Sequence, residues 1–264
     1  MIVSIRNFKE YEFNGDINQI KEFIYPYNDF TIEEIINLVK ENKDKSYVFD
    51  LTEIKNENSE IIKELKLLSS SFDNISFTGE TYVENIPFFY KRGICDANNL
   101  EELKILCEKG ISQVYIGSPL AFDLKNAKKI TDKYNVKLRI IPNITNQGKF
   151  TLQHKSEGNN ICSFFILPEH LHLYESYIDI IEFAGLNSKQ PVFYEIYFQT
   201  KKWNDNLSII IAGLGDIENH FPKEFTEFRL NCKKKCLVDQ CHSCYKFLNL
   251  SNLVKENNLT IEKN

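Results

Sequence analysis

Gly110-Ile-Ser-Gln-Val-Tyr-Ile-Gly-Ser-Pro-Leu-Ala-Phe-Asp-Leu124, followed after a polar stretch by Val136-Lys-Leu-Arg-Ile-Ile-Pro-Asn143, is the part of the chain that decides its fold class. Gln113 to Ile116 is a short apolar run bounded by glycine, the pattern of a buried strand. Gly117-Ser118-Pro119 ends it and opens a helix through Leu120 to Tyr134, with Pro119 in the first turn, where its missing N–H costs nothing. Val136 to Ile141 is the next strand, halted by Pro142-Asn143. Upstream, Asn99 to Glu108 is a helix stopped by Gly110 at the position that favours a left-handed residue. Strands that read as continuous apolar runs belong to a sheet covered on both faces, and such sheets are parallel.

The same alternation extends outward at intervals of about 25 residues. Toward the N-terminus, Met1 to Ile5 is a short strand. Asp16 to Tyr25 carries Ile17, Ile20, Phe23 and Ile24 at helical spacing. Thr31-Ile-Glu-Glu34 is a capping box that opens a helix with Ile32, Ile35, Ile36 and Val39 on one face. Tyr47 to Leu51 is a strand with Asp50 and Glu53 near its end, Ser59 to Leu68 a helix, and Ile75 to Thr78 a strand closing at Gly79-Glu80. Pro87 to Tyr90 reads as a strand that ends in Lys91-Arg92-Gly93-Ile94-Cys95-Asp96. Toward the C-terminus, Thr145 to Asn160 is a long loop or small insertion. Cys162 to Leu167 is a strand, Pro168 to Tyr174 a short helix, and Ile178 to Phe183 a strand ending near Glu182. Val192 to Phe198 leans to strand, and Leu207 to Leu214 reads as a helix with a glycine stop.

The expected fold is α/β: a (β/α) barrel-like domain over residues 1–228, incomplete or distorted, with a C-terminal Cys-rich metal loop over 229–264. A full barrel has eight strands in about 250 residues. Six or seven are legible here, and Ile2 to Ile5 would complete the count. An open doubly wound sheet is the alternative. The G-x-G-x-x-G and Gly-Lys-Ser/Thr signatures are absent, which weighs against dinucleotide and NTPase sites.

Hydrophobic residues make up 42% of the 264 and charged residues 26%, enough apolar material for a folded core. The net charge of -5 argues against a broad DNA-binding surface, which needs a basic face. The longest apolar runs, such as Ile209 to Leu214, fall short of the roughly 20 residues of a membrane span. The start Met-Ile-Val-Ser-Ile-Arg lacks the apolar core of an export signal, so a cytoplasmic location with reduced thiols is expected.

Four of the seven cysteines lie in Cys232-Lys-Lys-Lys-Cys236-Leu-Val-Asp-Gln-Cys241-His-Ser-Cys244, spaced C-x3-C-x4-C-x2-C. The pairs are too close for ordinary disulfides and suit four thiolates converging on a metal. Spacing leaves zinc and an iron–sulfur cluster open, because both accept four thiolates. Arg229 and Lys233 to Lys235 raise the local positive potential, which favours thiolate; a merely solvated turn would look the same. His242 reads as a bystander.

Chemistry in such a barrel gathers at the C-terminal ends of the strands. That nominates Arg92, Asp96 and Glu182 as catalytic candidates, with Asp50, Glu53, Glu80, Asn143 and Glu169 behind them. Each would otherwise be a polar loop residue. Arg139, inside an apolar strand, needs a partner and is expected to pair with a carboxylate in the barrel interior rather than to clamp a ligand. His170 and His172 are two residues apart in a presumed helix, so they face apart. Cys107 reads as core, whereas Cys95, just after a strand, is a candidate for function.

The alternation, Gly110 to Gly117 followed by Pro119 to Leu124, Leu138 to Asn143 and the late cysteine group together resemble the collagenase-like peptidase family over roughly residues 75 to 245. The resemblance implies an incomplete (β/α) barrel and a 4Fe-4S cluster that supports oxygen-atom insertion, as in hydroxylation of RNA bases or quinone precursors. It differs in that the family spreads its four cysteines along the chain, and its peptidase signature is not recognisable here. The resemblance places iron–sulfur ahead of zinc, on Cys232, Cys236, Cys241 and Cys244.

The functional expectation is therefore an iron–sulfur enzyme or maturation factor acting on an anionic or nucleotide-like substrate, a small molecule or RNA. The alternative is a non-enzymatic interaction or structural protein whose C-terminal tail is stapled by a structural zinc.

Overall fold

The computed structural model describes residues 1–6, 20–52, 59–79, 92–116, 120–142, 150–154, 160–161, 166–183, 190–203, 223–231 and 259–263. Seven parallel strands come first: β1 (Ile2–Arg6), β2 (Glu22–Pro26), β3 (Ser46–Asp50), β4 (Ile75–Thr78), β5 (Gly93–Ala97), β6 (Gln113–Ile116) and β7 (Lys137–Ile140). After an excursion through β8 (Phe150–His154) and β9 (Asn160–Ile161), β10 (Ile180–Glu182) inserts between β7 and β1 and closes the ring. The barrel is closed with its full complement of eight strands: Ile2 to Arg6 takes part in it as the sequence reading allowed, and Glu22–Pro26 supplies a strand where a helix was expected.

Helices α1 (Ile32–Glu41), α2 (Ser59–Ser71), α3 (Leu100–Glu108) and α4 (Leu124–Tyr134) lie between successive strands. Their ends are set locally. Thr31 Oγ1 accepts from the Glu34 amide while the Glu34 carboxylate accepts from the Thr31 amide, the capping box expected from sequence. Asn99 Oδ1 accepts from the Glu101 and Glu102 amides at the start of α3. Gly110 takes a φ of 85° just past α3, and Asn135 takes the left-handed C-cap of α4.

Strand alternation sorts the apolar side chains into two cores. Outward residues such as Phe23, Tyr47, Phe49, Phe77, Val114, Leu138 and Ile140 pack against Ile35, Val39, Leu65, Leu68, Leu103 and Leu124 in one continuous outer core. Each such side chain contributes about 1.5–3 kcal/mol by leaving water. The inner core is small: Ile24, Val48 and Ile94, with Tyr115 against them. Apart from Ile180 and its register partner Ile2, the remaining described inward positions are mostly polar.

Several local expectations are revised. Residues 22–26 are strand, not helix, because Phe23 and Tyr25 pack outward while Glu22 and Ile24 face in. The fifth strand begins at Gly93, where a loop was expected, so Cys95 is a buried strand residue and not a post-strand thiol. Val192 to Phe198 is helical, within α5 (Gln190–Tyr194) and a π-helical continuation, Glu195–Thr200. The polar stretch from 145 contains β8, which pairs antiparallel with β9 and with β11 (Leu259–Lys263). Pro168–Leu173 is a 3-10 helix, with His170 buried beside Thr226 of α6 (Lys223–Asn231) and His172 exposed. The expected strand at 87–90 and helix at 207–214 lie outside the described residues, as do the four residues that begin the expected strand at Cys162.

Candidate functional site in the barrel interior

Register builds the site. Asp96, Tyr115, Arg139 and Ile180 form one row across β5, β6, β7 and β10. Glu182, Ser4 and Glu22 form another across β10, β1 and β2. The strands are parallel and alternate strictly, so both rows turn their side chains to the barrel axis.

Arg139 is fully buried at the centre. Its Nη2 donates to Glu22 Oε1 at 2.7 Å, to Ser4 Oγ at 2.9 Å and toward Glu182 Oε2 at 3.3 Å. Its Nη1 donates to Gln113 Oε1 at 2.5 Å. The guanidinium carbon lies 5.0 Å from the Tyr115 ring centroid, and the Tyr115 hydroxyl donates to Glu182 Oε2. Burial opposes the charge on Arg139, but Glu22, then Tyr115 and Glu182, outweigh it and hold the guanidinium above its ordinary pKa. The expected pairing of Arg139 with a barrel carboxylate is what the structure shows, with two carboxyl groups instead of one. Its Nε is buried and meets no acceptor among the described residues.

Of the three catalytic candidates, two face this interior. Glu182 closes β10 and is buried in the cluster, and Asp96 sits exposed one residue from the end of β5. Arg92 is corrected. It precedes β5, at the N-terminal end of the barrel, where Nη1 donates to the Asp73 carbonyl at 2.8 Å and Nη2 to the Asp73 carboxylate. It stands just ahead of β5, so it does not share an end with Glu182; the strand expected before it, at 87–90, lies outside the described residues.

Asp50 closes β3 and accepts from the Thr52 amide and hydroxyl, a local turn cap. Glu169 lies in the 3-10 helix before β10. Glu53, Glu80 and Asn143 lie outside the described residues. Sequence reading passed over Glu22 and Gln113. A charged residue inside the run Glu22-Phe-Ile-Tyr was the available signal, hidden by the helical reading of that stretch.

Cys232, Cys236, Cys241 and Cys244 also lie outside the described residues, as do Lys233 to Lys235 and His242. Among the described residues no group of three or more His, Cys, Asp or Glu side chains is arranged to hold a metal ion, and no helix is long and apolar enough to cross a membrane. Comparison with protein-family models finds none that matches the chain, and comparison with curated proteins finds no match.

Proposed function

We propose that the protein is a metal-binding (β/α) barrel, an iron–sulfur enzyme or maturation factor that acts on an anionic or nucleotide-like substrate, a small molecule or RNA, in the cytoplasm. The observation that carries this reading is the polar interior. A barrel of this kind is ordinarily plugged by layers of branched aliphatic side chains; here Arg139, Glu22, Glu182 and Gln113 are buried instead. Buried charges are costly to keep, and groups so placed are candidates for function.

Arg139 would hold Glu182 and Glu22 in place, and its Nε supplies a buried donor for an acceptor atom of a bound molecule. Tyr115 and Glu182, already hydrogen-bonded, form a pair through which a proton can be exchanged at the phenolic oxygen. Asp96, on the same row as Tyr115, would meet a substrate entering from the strand C-terminal ends. The four cysteines fit the metal by their donor chemistry, since four thiolates suit a 4Fe-4S cluster, which would supply redox chemistry when bound.

The test is anaerobic purification with iron, acid-labile sulfide and zinc quantified together. Iron and sulfide in near-equal amounts, lost in Cys241→Ser, support the reading; colourless protein with stoichiometric zinc overturns it. A zinc staple is the second reading, and β11 favours it. The chain beyond the cysteines returns to pair with β8, so a clamp between α6 and β11 would fix the path of that return. Under that reading, Cys241→Ser loses zinc and lowers the thermal midpoint.

A further inference from the structure

At the end of the barrel opposite Asp96 and Glu182, a cavity of about 860 Å3 opens to solvent. The inward strand positions that line it are Ser46 on β3, Ser76 on β4, Gln113 on β6 and Lys137 on β7. Two serines where large aliphatic residues would close the barrel leave this end unfilled. The volume falls within the roughly 300–1,000 Å3 typical of small-molecule sites.

The charge of the lining runs against that of the chain. Lys66, Arg92 and Lys137 face it with a single carboxylate, Asp73, which Arg92 already engages. The protein as a whole carries a net charge of -5. The cations come from three separate places in the chain: Lys66 from α2, Arg92 from just before β5, and Lys137 from the start of β7. Donors converging from several directions suit a compact oxyanion with several acceptor oxygens better than a planar carboxylate, which a single arginine fork satisfies. The concave shape and the acidic remainder of the chain favour a small molecule over a nucleic-acid backbone.

We propose that this N-terminal cavity binds a phosphate-bearing small molecule, held by Lys66, Lys137 and Arg92 over the hydroxyls of Ser46 and Ser76. The site is separate from the one at the strand C-terminal ends. Its floor is Gln113, whose Oε1 accepts from Arg139, so an occupant would rest against the outermost member of the buried cluster.

Titration calorimetry of the full-length protein as purified, with inorganic pyrophosphate as the probe, tests this. The expected result is saturable one-to-one binding that weakens as salt is raised and falls about tenfold or more in K66Q/K137Q. The single variant Lys137→Gln, at an exposed strand start, gives a smaller loss in the same direction if the double variant is unstable. Asp96→Asn, at the other end, leaves binding unchanged. Absent saturation with the wild-type protein, wild-type affinity in folded K66Q/K137Q, loss confined to Asp96→Asn, or equally tight citrate binding would each overturn the proposal.

Discussion

Arg139 on β7 and Glu22 on β2, 117 positions apart in the chain, meet at 2.7 Å inside the barrel. Neither is reachable by water, so the pair's worth depends on both members being present. Removing the cation alone leaves Glu22 and Glu182 buried without their partner, a change that costs about 3–5 kcal/mol. Arg139→Ala is therefore expected to shift the urea midpoint strongly. The triple variant R139M/E22Q/E182Q removes the charges together and is expected to recover most of that loss.

Arg139→Lys separates charge from geometry. An ammonium keeps the positive charge but cannot span Glu22, Ser4 and Gln113 at once. It is expected to fall between wild type and Arg139→Ala in the same urea titration. Stability equal to wild type would mean that the fork geometry contributes nothing.

What could be read without coordinates follows from what is local. The unit from Gln113 to Ile140 was legible because its strands are short runs with apolar outward residues, bounded by turn residues, and its helix ends at the left-handed Asn135 close in sequence. That Arg139 needs a carboxylate was legible from burial alone; that the partners are Glu22 and Glu182 was not, because ring closure brings them together from 117 and 43 residues away. Residues 22–26 were misread because a strand filled on both faces loses its period of two, and Ile20, Phe23 and Ile24 then mimic a helical stripe. Arg92 was placed at the wrong end because Gly93 punctuates a strand's beginning as readily as its end.

Two glycines separate backbone strain from steric clash. Gly110 has a φ of 85°, and a Cβ there would meet nothing within 4 Å, so Gly110→Ala costs only the left-handed conformation, about 1 kcal/mol. Gly79 has a φ of 128°, and a Cβ would sit 3.2 Å from the carbonyl carbon and Cβ of Leu51 and from the Thr52 amide nitrogen. Gly79→Ala carries both costs, about 2 kcal/mol or more. Denaturant unfolding of the two variants should rank them in that order.

The capping box at α1 gives a smaller, cleaner effect. Thr31→Ala leaves the Glu34 amide without its side-chain acceptor and is expected to cost about 1 kcal/mol. Thr31→Ser keeps the oxygen and should stay within a few tenths of wild type. Because the site is exposed, no repacking obscures the comparison.

Cys107 provides a pH-dependent test of the outer core. It lies on the inward face of α3, and burial first, then Glu108, pushes its thiol up from 9.0 to about 11. The folded state thus holds this proton over a range in which the unfolded state releases it. The stabilisation linked to the group is complete below pH 9.0 and is lost progressively as the pH rises toward about 11. Cys107→Ala removes the titration, so the stability of wild type relative to this variant should decline across that interval and be flat below it. The same burial predicts chemical protection. With the modified peptide identified by mass spectrometry, Cys107 should resist iodoacetamide at pH 8 in native protein and react readily in urea. Ready alkylation of native Cys107 at that pH would mean that α3 does not hold this thiol against the barrel.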